Sequence, residues 1–317
     1  MDKLITILGP TATGKTLVAA GLAARIGGEV ISADSRQVYR GMDIGTGKDL
    51  ADYIVDGKPV PYHLIDIAHP GEEYNLYRFQ QDFIHAFSDI RRRGKKAIMC
   101  GGTGMYLESI ILSYDLAEVR RNKKLREKLE KLSDKELIDK LHSLRDVHNV
   151  TDTRDRERLI RAIEISEIKN QKSEISIQYP ASIIHHPSSS IQYPASSIQH
   201  LVIGINLPRQ EVRARITSRL KQRLEAGMIE EVKKLLDSGL KSDQLEFYGL
   251  EYKFLTQYVT GKLSYDEMFR LLNTAIHQFA KRQMTWFRRM EKKGIKIHWI
   301  DGQLPLERKI ESILQIN

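Results

Sequence analysis

Cysteine is almost absent from this sequence, and so are long apolar runs. Cys100 is the single cysteine, which excludes an intramolecular disulfide and a zinc site built from several cysteines. It ends a short apolar run, so we expect a buried thiol rather than a nucleophile. No run of about 18 apolar residues occurs, and no basic segment leads into an apolar signal core. The sequence therefore predicts a cytoplasmic protein with no membrane span.

Acidic residues are outnumbered by basic ones. The 317 residues include 50 Lys and Arg against 41 Asp and Glu, which gives a net charge of +9. A basic excess of this size favours a polyanionic partner such as nucleic acid. A generally basic surface without such a partner would give the same composition. The length fits one large or two modest domains and is enough to bury a core.

Short apolar runs alternate with amphipathic stretches along much of the chain. We predict strands at residues 4–8, 29–33, 96–100, 201–205 and 295–300. We predict helices at residues 16–26, 76–93, 209–238 and 265–291. Strands that alternate with helices in this way predict an α/β fold, with a parallel sheet core flanked by helices on both faces.

The pattern changes at about residue 114. Residues 114–175 are rich in Lys, Arg, Glu and Leu and contain no clear strand, which predicts an inserted all-helical domain. In residues 176–200 the polar, proline-bearing segment Ser-Ile-Gln-Tyr-Pro-Ala-Ser occurs twice, which favours an expanded surface loop over a binding repeat. Residues 1–113 and 201–317 then form the catalytic core.

A phosphate-binding pattern lies between the first predicted strand and the first predicted helix. Residues 9–16 read Gly-Pro-Thr-Ala-Thr-Gly-Lys-Thr, which fits Gly-x-x-x-x-Gly-Lys-Thr. In such a P-loop, backbone N–H groups surround phosphate oxygens at a helix N-terminus. Lys15 would reach the outer phosphate, and the Thr16 hydroxyl suits Mg²⁺. The sequence therefore predicts a P-loop NTPase-like core that holds a diphosphate group, whatever that group is attached to.

The segments that follow the strands differ from those of an ordinary ATPase or GTPase. Such hydrolases place an aspartate at the end of a second strand, but strand 96–100 ends in Gly101. The glycines of residues 101–104 permit close approach of a ligand or form a structural turn. Asp34 follows strand 29–33, at the edge where ligands bind in open α/β sheets. It suits a general base or, equally, a helix N-cap or turn.

Basic side chains concentrate in the C-terminal half. Arg215, Arg219 and Arg223 are spaced four apart on one predicted helix, where like charges repel by a few tenths of a kcal/mol per pair. Either one end of the row grips a phosphate or the row forms a solvated face. Residues 281–296 combine Lys and Arg with Trp286. That mixture suits a nucleic-acid backbone or a core tryptophan beneath a charged face.

Several blocks of sequence occur in order along nearly the whole chain. They are GPTATGKT at 9–16, SADSRQVY at 32–39, GMDIGTGK at 41–48, GGTGMY at 101–106, RLIRAIE at 158–164, RI at 215–216 with Arg219, and AKRQMTWFR at 280–288. Together these blocks resemble the bacterial tRNA dimethylallyltransferases, the IPP transferase family. They are far more specific than the P-loop alone.

The resemblance implies a reaction and its catalytic residues. Dimethylallyl diphosphate would donate its dimethylallyl group to the N6 amine of the adenosine 3′ of the tRNA anticodon, releasing diphosphate. Asp34 would be the general base or hydrogen-bond acceptor, Lys15, Thr16 and Arg215 would join it in catalysis, and Thr16 would hold the cofactor Mg²⁺. The implied contacts of the donor are Gly9, Pro10, Thr11, Ala12, Thr13, Gly14, Lys15, Thr16 and Arg219.

The same resemblance implies tRNA as the partner of a monomeric enzyme, with the helical segment near 115–175 on the anticodon stem. The implied tRNA contacts are Asp34, Ser35, Arg36, Gln37, Thr103, Arg126, Glu157, Arg158, Leu159, Ile160, Arg161, Glu246, Phe247, Tyr248, Gly249, Leu250 and Glu251. The sequence departs from the family at three places. Leu250 stands where tyrosine is usual, His277 where arginine is common, and Arg223 where methionine is usual.

Three other functions fit parts of the sequence. A small-molecule P-loop kinase could use Asp34 as base for a hydroxyl, and an adenylate prenyltransferase could use free AMP as acceptor. Neither needs the basic helical insertion. A non-catalytic RNA-binding protein would not need Lys15, Thr16 and Asp34 together. Each of the three functions leaves some of these features without a role, so prenyl transfer to tRNA is the leading hypothesis.

Overall fold

The structure is a computed structural model that describes residues 3–114, 116, 122–144, 155–178 and 198–316, with backbone alone for 168–178. The chain forms two compact units. The α/β unit is Met1–Tyr114 with Tyr193–Asn317, and the helical unit is Asp115–Gln192. The division into a catalytic core and a tRNA-binding insertion stays a prediction about their roles.

A six-stranded parallel sheet forms the centre of the α/β unit. The strands are β1 (Lys3–Leu8), β2 (Gly28–Ser32), β3 (Ile54–Val55), β4 (Lys58–Pro59), β5 (Tyr62–His63), β6 (Lys96–Gly101), β7 (Gln199–Asn206) and β8 (Ile297–Asp301). The sheet order is β5-β2-β6-β1-β7-β8, while β3 and β4 form a separate antiparallel pair. Every pairing in the six-stranded sheet is parallel, with Ile7 of β1 opposite Cys100 and Ile203. The predicted fold class is confirmed.

Both faces of the sheet are covered by apolar side chains. Successive residues of β1 point to opposite faces, so Leu4 and Leu8 join one core cluster while Ile5 and Ile7 join the other. Since β1 buries apolar side chains on both of its sides, it is covered on both faces, as strands of parallel sheets are.

Twelve α-helices lie within the described residues. They are α1 (Lys15–Ile26), α2 (Leu76–Arg92), α3 (Gly104–Ile111), α4 (Lys123–Leu129), α5 (Asp134–Leu144), α6 (Arg156–Gln178), α7 (Arg209–Glu225), α8 (Met228–Asp237), α9 (Ser242–Phe247), α10 (Leu250–Val259), α11 (Tyr265–Lys292) and α12 (Leu306–Ile316). Leu50–Tyr53 forms a 3₁₀ helix. Within the described part of the chain, no helix has the length and apolar character needed to cross a membrane.

Two predicted segments need correction. The predicted helix 209–238 is two helices, because Gly227 adopts a left-handed conformation with φ 99° between α7 and α8. Both ends of the predicted loop 176–200 belong to regular elements instead, since α6 extends to Gln178 and β7 begins at Gln199. Residues 179–197, which hold most of the duplication, lie outside the described residues.

The helical unit has its own small core. Leu129 of α4, Leu137 and Leu141 of α5, and Leu159 and Ile163 of α6 are buried together. Their spacing places them on one face of each helix, which is the pattern of an amphipathic helix. This core explains how the described helices of the insertion form a compact unit.

Candidate active site

The phosphate-binding loop connects β1 to the N-terminus of α1. Ala12 and Gly14 both have positive φ, 65° and 76°, which turns the backbone around a concave surface. The buried Thr13 hydroxyl donates to the Pro10 carbonyl at 2.9 Å and closes the turn. Since α1 begins at Lys15, its unpaired backbone N–H groups face the same space, a ready site for an anion.

Gln283 of α11 fixes this loop from the side. Its Oε1 accepts from the backbone N–H of Thr11 at 2.8 Å, and its Nε2 donates to the Gly102 carbonyl at 2.9 Å. The side chain therefore ties α11, the phosphate loop and the glycine-rich segment together. We assigned Gln283 no role from the sequence, because one glutamine in a basic helix carries no signal of its own.

A cavity of about 660 Å³ opens in front of the loop. It brings together most of the predicted site residues of the α/β unit. These are Thr11, Ala12, Gly14, Lys15, Thr16, Asp34, Ser35, Arg36, Gln37, Thr103, Arg219, Glu246, Phe247, Tyr248, Gly249, Leu250 and Glu251. Gly9, Pro10 and Thr13 do not line this cavity and instead form the loop behind it.

Asp34 is both a turn residue and a cavity residue. Its Oδ1 accepts from the backbone N–H of Arg36 at 2.9 Å, which is the turn role considered from the sequence. Among the described residues its Oδ2 has no hydrogen-bond partner, and the carboxylate lines the cavity. One oxygen thus fixes the side chain while the other can accept a hydrogen bond from a ligand.

Lys15 and Cys100 lie at the inner end of the cavity. Burial lowers the pKa of Lys15 from its ordinary value, and the nearby negative charge of Asp34 opposes that shift. Burial raises the pKa of the Cys100 thiol to about 12. Cys100 is a buried free cysteine, as predicted, and its raised pKa leaves little thiolate for chemistry.

The glycines of residues 101–104 are required by packing. A side chain at Gly101 would run into the Ala33 backbone, and one at Gly104 would run into the Trp286 ring. Between them, the Thr103 hydroxyl accepts from the Ser35 backbone N–H at 3.1 Å. The structural reading of these glycines is supported, and Thr103 is the member of the segment whose side chain holds the Asp34 loop.

The arginine row contributes two members to the cavity. Arg219 and Arg223 line it and share one carboxylate, that of Asp49, at 2.6 Å and 3.1 Å from their Nη2 atoms. Arg215 lies outside the cavity lining and pairs with Glu211 one turn earlier on α7. The structure therefore places Arg219 and Arg223, but not Arg215, in the lining of the cavity in front of the phosphate-binding loop.

The predicted tRNA contacts of the helical unit divide into buried and polar residues. Leu159 and Ile160 are core residues whose side chains are buried within the unit, and their contact with tRNA stays a prediction. Arg126 forms a two-point ion pair with the buried Glu164, both bonds at 3.0 Å. Arg126 therefore has a structural partner within its own unit. Arg158 lies on the exposed side of α6.

A metal ion can be tested against the side chains that face the cavity. Within the described residues, no three His, Cys, Asp or Glu side chains converge to hold a metal. The Thr16 hydroxyl and the Asp34 carboxylate line the cavity, and oxygen is the donor that Mg²⁺ prefers. These residues fit a cation that takes its other ligands from a bound diphosphate, because Mg²⁺ is seldom held by protein groups alone.

Two family models match this sequence. The model described as IPP transferase matches residues 37–290, and the model described as Isopentenyl transferase matches residues 2–58. The chain belongs to the IPP transferase family. This membership confirms the family and the transferase class that the motif blocks predicted.

Relatives of this IPP transferase match it over nearly their whole length. The tRNA dimethylallyltransferase 2 of Phocaeicola vulgatus is 53% identical, over 99% of this chain and 97% of the relative. The tRNA dimethylallyltransferase 1 of Parabacteroides distasonis is 51% identical with the same coverage. The crystal structure of the full-length tRNA isopentenylpyrophosphate transferase from Bacillus halodurans is similar, with 32% identity, a TM-score of 0.68, and 100% and 95% of the two chains covered.

Proposed function

We propose that this IPP transferase moves a dimethylallyl group from dimethylallyl diphosphate to the N6 amine of the adenosine 3′ of the anticodon in tRNA. One observation carries the proposal. Lys15 and Thr16, which suit a diphosphate, and Asp34, which suits an amine, line the same cavity. A relative that covers 99% of this chain is named a tRNA dimethylallyltransferase.

The donor end of the cavity is suited to a leaving diphosphate. As the bond between the allylic carbon and the diphosphate oxygen breaks, negative charge grows on that oxygen. Lys15, the loop N–H groups, and the Arg219 and Arg223 guanidiniums supply positive charge and donors that stabilise this oxygen. Thr16 and the diphosphate would hold Mg²⁺, which supplies further positive charge at the same oxygens.

The acceptor end is suited to a base that has left its stack. The N6 nitrogen forms the new bond to the allylic carbon, and one of its protons passes to the Asp34 carboxylate. Phe247 lines the cavity with 78% of its surface exposed. An exposed ring of this kind suits stacking on an unpaired base.

The surface beside the cavity suits an RNA backbone. A groove of about 790 Å³ between α7 and α11 is lined by Arg209, Arg213, Lys281 and Arg288, and its described lining contains no carboxylate. Phosphate contacts by such side chains give binding that weakens as salt rises. We propose that this groove supports tRNA binding, that the helical unit contacts the anticodon stem, and that the enzyme acts as a cytoplasmic monomer.

The direct test is incubation of the full-length protein with dimethylallyl diphosphate, Mg²⁺ and unmodified tRNA, followed by mass spectrometry of the nucleosides. We expect a gain of one dimethylallyl group on an adenosine next to the anticodon. A gain on free AMP alone would support the adenylate prenyltransferase instead. Consumption of ATP without prenylation would support the kinase.

A matched pair of variants tests the role of Asp34. Asp34→Asn keeps the oxygen that accepts from Arg36 but removes the base, so we expect turnover to fall by about 100-fold or more. Asp52→Asn changes another carboxylate of the same cavity and should alter turnover by only a few-fold. Affinity for tRNA, measured in the absence of donor, should stay nearly unchanged in both. Equal turnover of the two variants would remove Asp34 from the mechanism.

A further inference from the structure

Asp49 lies between two cationic side chains of the cavity. Its Oδ2 is 2.6 Å from Nη2 of Arg219, and both its carboxylate oxygens are 3.1 Å from Nη2 of Arg223. Asp49 has φ 34° and ψ 53°, in the left-handed region that aspartate tolerates better than most residues. This backbone conformation brings the carboxylate to the face of α7 that lines the cavity.

The two arginines need a negative partner in this position. They are half-buried, four residues apart on one helix, and they share the cavity with Lys15. Burial lowers the pKa of Arg219, the positive charge of Arg223 lowers it further, and Asp49 raises it. Among the described residues, Asp49 is the one carboxylate that forms an ion pair with either arginine. Together with the nearby charge of Glu251, it therefore offsets part of the repulsion between the two arginines in the ligand-free protein.

Hydrogen bonds hold the backbone before Asp49 in place, so the side chain of Asp49 can move while that backbone stays where it is. Glu231 accepts hydrogen bonds from the backbone N–H groups of Asp43, Ile44 and Gly45 at 2.7–3.0 Å. Gln37 Nε2 donates to the Gly47 carbonyl at 3.0 Å. Asp49 itself is exposed. The carboxylate can therefore leave the arginines by rotation of its own side chain, without rearrangement of this segment.

We propose that Asp49 is a stand-in for diphosphate: its carboxylate occupies Arg219 and Arg223 while the cavity is empty and gives them up when diphosphate binds. The inference rests on the proposed function, because it assigns diphosphate to this cavity. A diphosphate carries more negative charge than one carboxylate and so forms the stronger pair with the same donors. The exchange weakens the affinity of the enzyme for diphosphate, and thereby favours release of the product.

Arg223 gives this exchange a particular use. It places a second guanidinium beside that of Arg219 at the cavity. A second arginine alone would raise the affinity for the diphosphate product as well as for the dimethylallyl diphosphate donor. Because Asp49 pairs with both arginines, its carboxylate offsets the added positive charge in the empty enzyme.

Titration of the full-length protein with inorganic pyrophosphate and Mg²⁺, followed by calorimetry, tests the proposal. We expect Asp49→Asn to bind pyrophosphate about tenfold more tightly than the unchanged protein. Asp52→Asn is the matched control, because Asp52 lines the same cavity but forms no ion pair among the described residues. It should bind at most about twofold more tightly. The titrations are carried out at pH 8 to favour the charged form of Asp52, because burial raises the pKa of its carboxyl group.

A double-mutant cycle separates exchange of partners from a general effect of charge. In an Arg223→Met background, Asp49→Asn should tighten pyrophosphate binding by clearly less than tenfold. Weaker binding by Asp49→Asn would overturn the proposal, because Asp49 would then only position the arginines. Equal gains in Asp49→Asn and Asp52→Asn would overturn it too. If the unchanged protein binds no pyrophosphate, the proposed function itself fails. Thermal unfolding confirms that each variant is folded, and Asp49→Ser replaces Asp49→Asn if it is not.

Discussion

Within each unit of this protein, a carboxylate that is shared by two arginines has a different environment. In the helical unit Glu164 binds Arg126 and Arg161, and in the α/β unit Asp49 binds Arg219 and Arg223. The accessibility of the carboxylate differs. Glu164 is 0% exposed, whereas 44% of the Asp49 side chain is exposed, on the rim of a cavity. The shared carboxylate is therefore enclosed in one unit and open to solvent and ligand in the other.

This difference determines what each cluster can do. Glu164 also accepts from the Asn122 backbone N–H at 3.0 Å, so the buried carboxylate joins α6 to the start of α4. Its charge cannot be solvated if its partners leave, which makes the cluster a permanent part of the fold. Asp49 can be solvated, so its arginines can change partners at low cost. Burial of the shared carboxylate thus separates a structural cluster from a binding cluster.

The largest expected effect concerns Glu164. Glu164→Ala leaves Arg126, Arg161 and the Asn122 N–H without their shared acceptor, and we expect the helical unit to lose about 3–5 kcal/mol of stability. Urea unfolding followed by far-UV circular dichroism measures the loss. Both tryptophans, Trp286 and Trp299, lie in the α/β unit. Their fluorescence should therefore report a nearly unchanged transition.

Glu167→Ala is the control for this experiment. Glu167 lies on the same helix and pairs with Lys140 at 2.7 Å, but both side chains are partly exposed. We expect a loss of about 0–1 kcal/mol, as for other exposed pairs. Equal losses from the two substitutions would contradict the comparison, since burial would then not matter.

The second effect concerns catalysis and separates Arg219 from Arg215. We expect Arg219→Gln to lower kcat/KM for dimethylallyl diphosphate by about 100-fold, because one donor to the leaving diphosphate is lost. Arg215→Gln removes the same charge one turn away, outside the cavity lining, and should change kcat/KM by no more than about threefold. The opposite ranking would restore the role that the family resemblance gives to Arg215.

The smallest effect is a difference in acid sensitivity. Although burial alone would raise the pKa of Glu164, hydrogen bonds from Arg126 and Asn122 hold it below its ordinary value of 4.5. A lowered carboxyl pKa stabilises the fold above that ordinary value, and the contribution disappears as pH falls through the lowered pKa. In urea unfolding between pH 6 and pH 3, Glu164→Gln should lose less stability than the unchanged protein over this acid range. Parallel curves would show that Glu164 does not titrate with folding.

The sequence predicts the sheet well because its signals are local and strong. Apolar runs bounded by glycine specify β1, β2 and β6, and Gly27 ends α1 in the left-handed conformation expected of a C-terminal cap. Gly227 is the same kind of signal inside a long amphipathic stretch, where helical periodicity hid it. The two-residue strands β3, β4 and β5 have no periodicity to detect, since two residues cannot show alternation.

The arginine row shows a limit of prediction from residue spacing. Residues four apart on a helix differ by about 40° in direction, so Arg215 and Arg223 differ by about 80°. Spacing alone predicts a row but cannot say which end faces a ligand. Asp49 gave no signal either, because its contact with α7 depends on a turn conformation and spans more than 160 residues of sequence. Such long-range charge pairing becomes visible only when the fold brings the segments together.

Gly47 has a consequence for how this site can change during evolution. The space that a side chain at position 47 would need is filled by the guanidiniums of Arg223 and Arg219. Gly47 itself has φ 70°, a conformation in which any other side chain is strained. Shortening residue 223 alone therefore does not admit a side chain at position 47, and among homologues we expect glycine to persist at position 47 whichever residue occupies position 223.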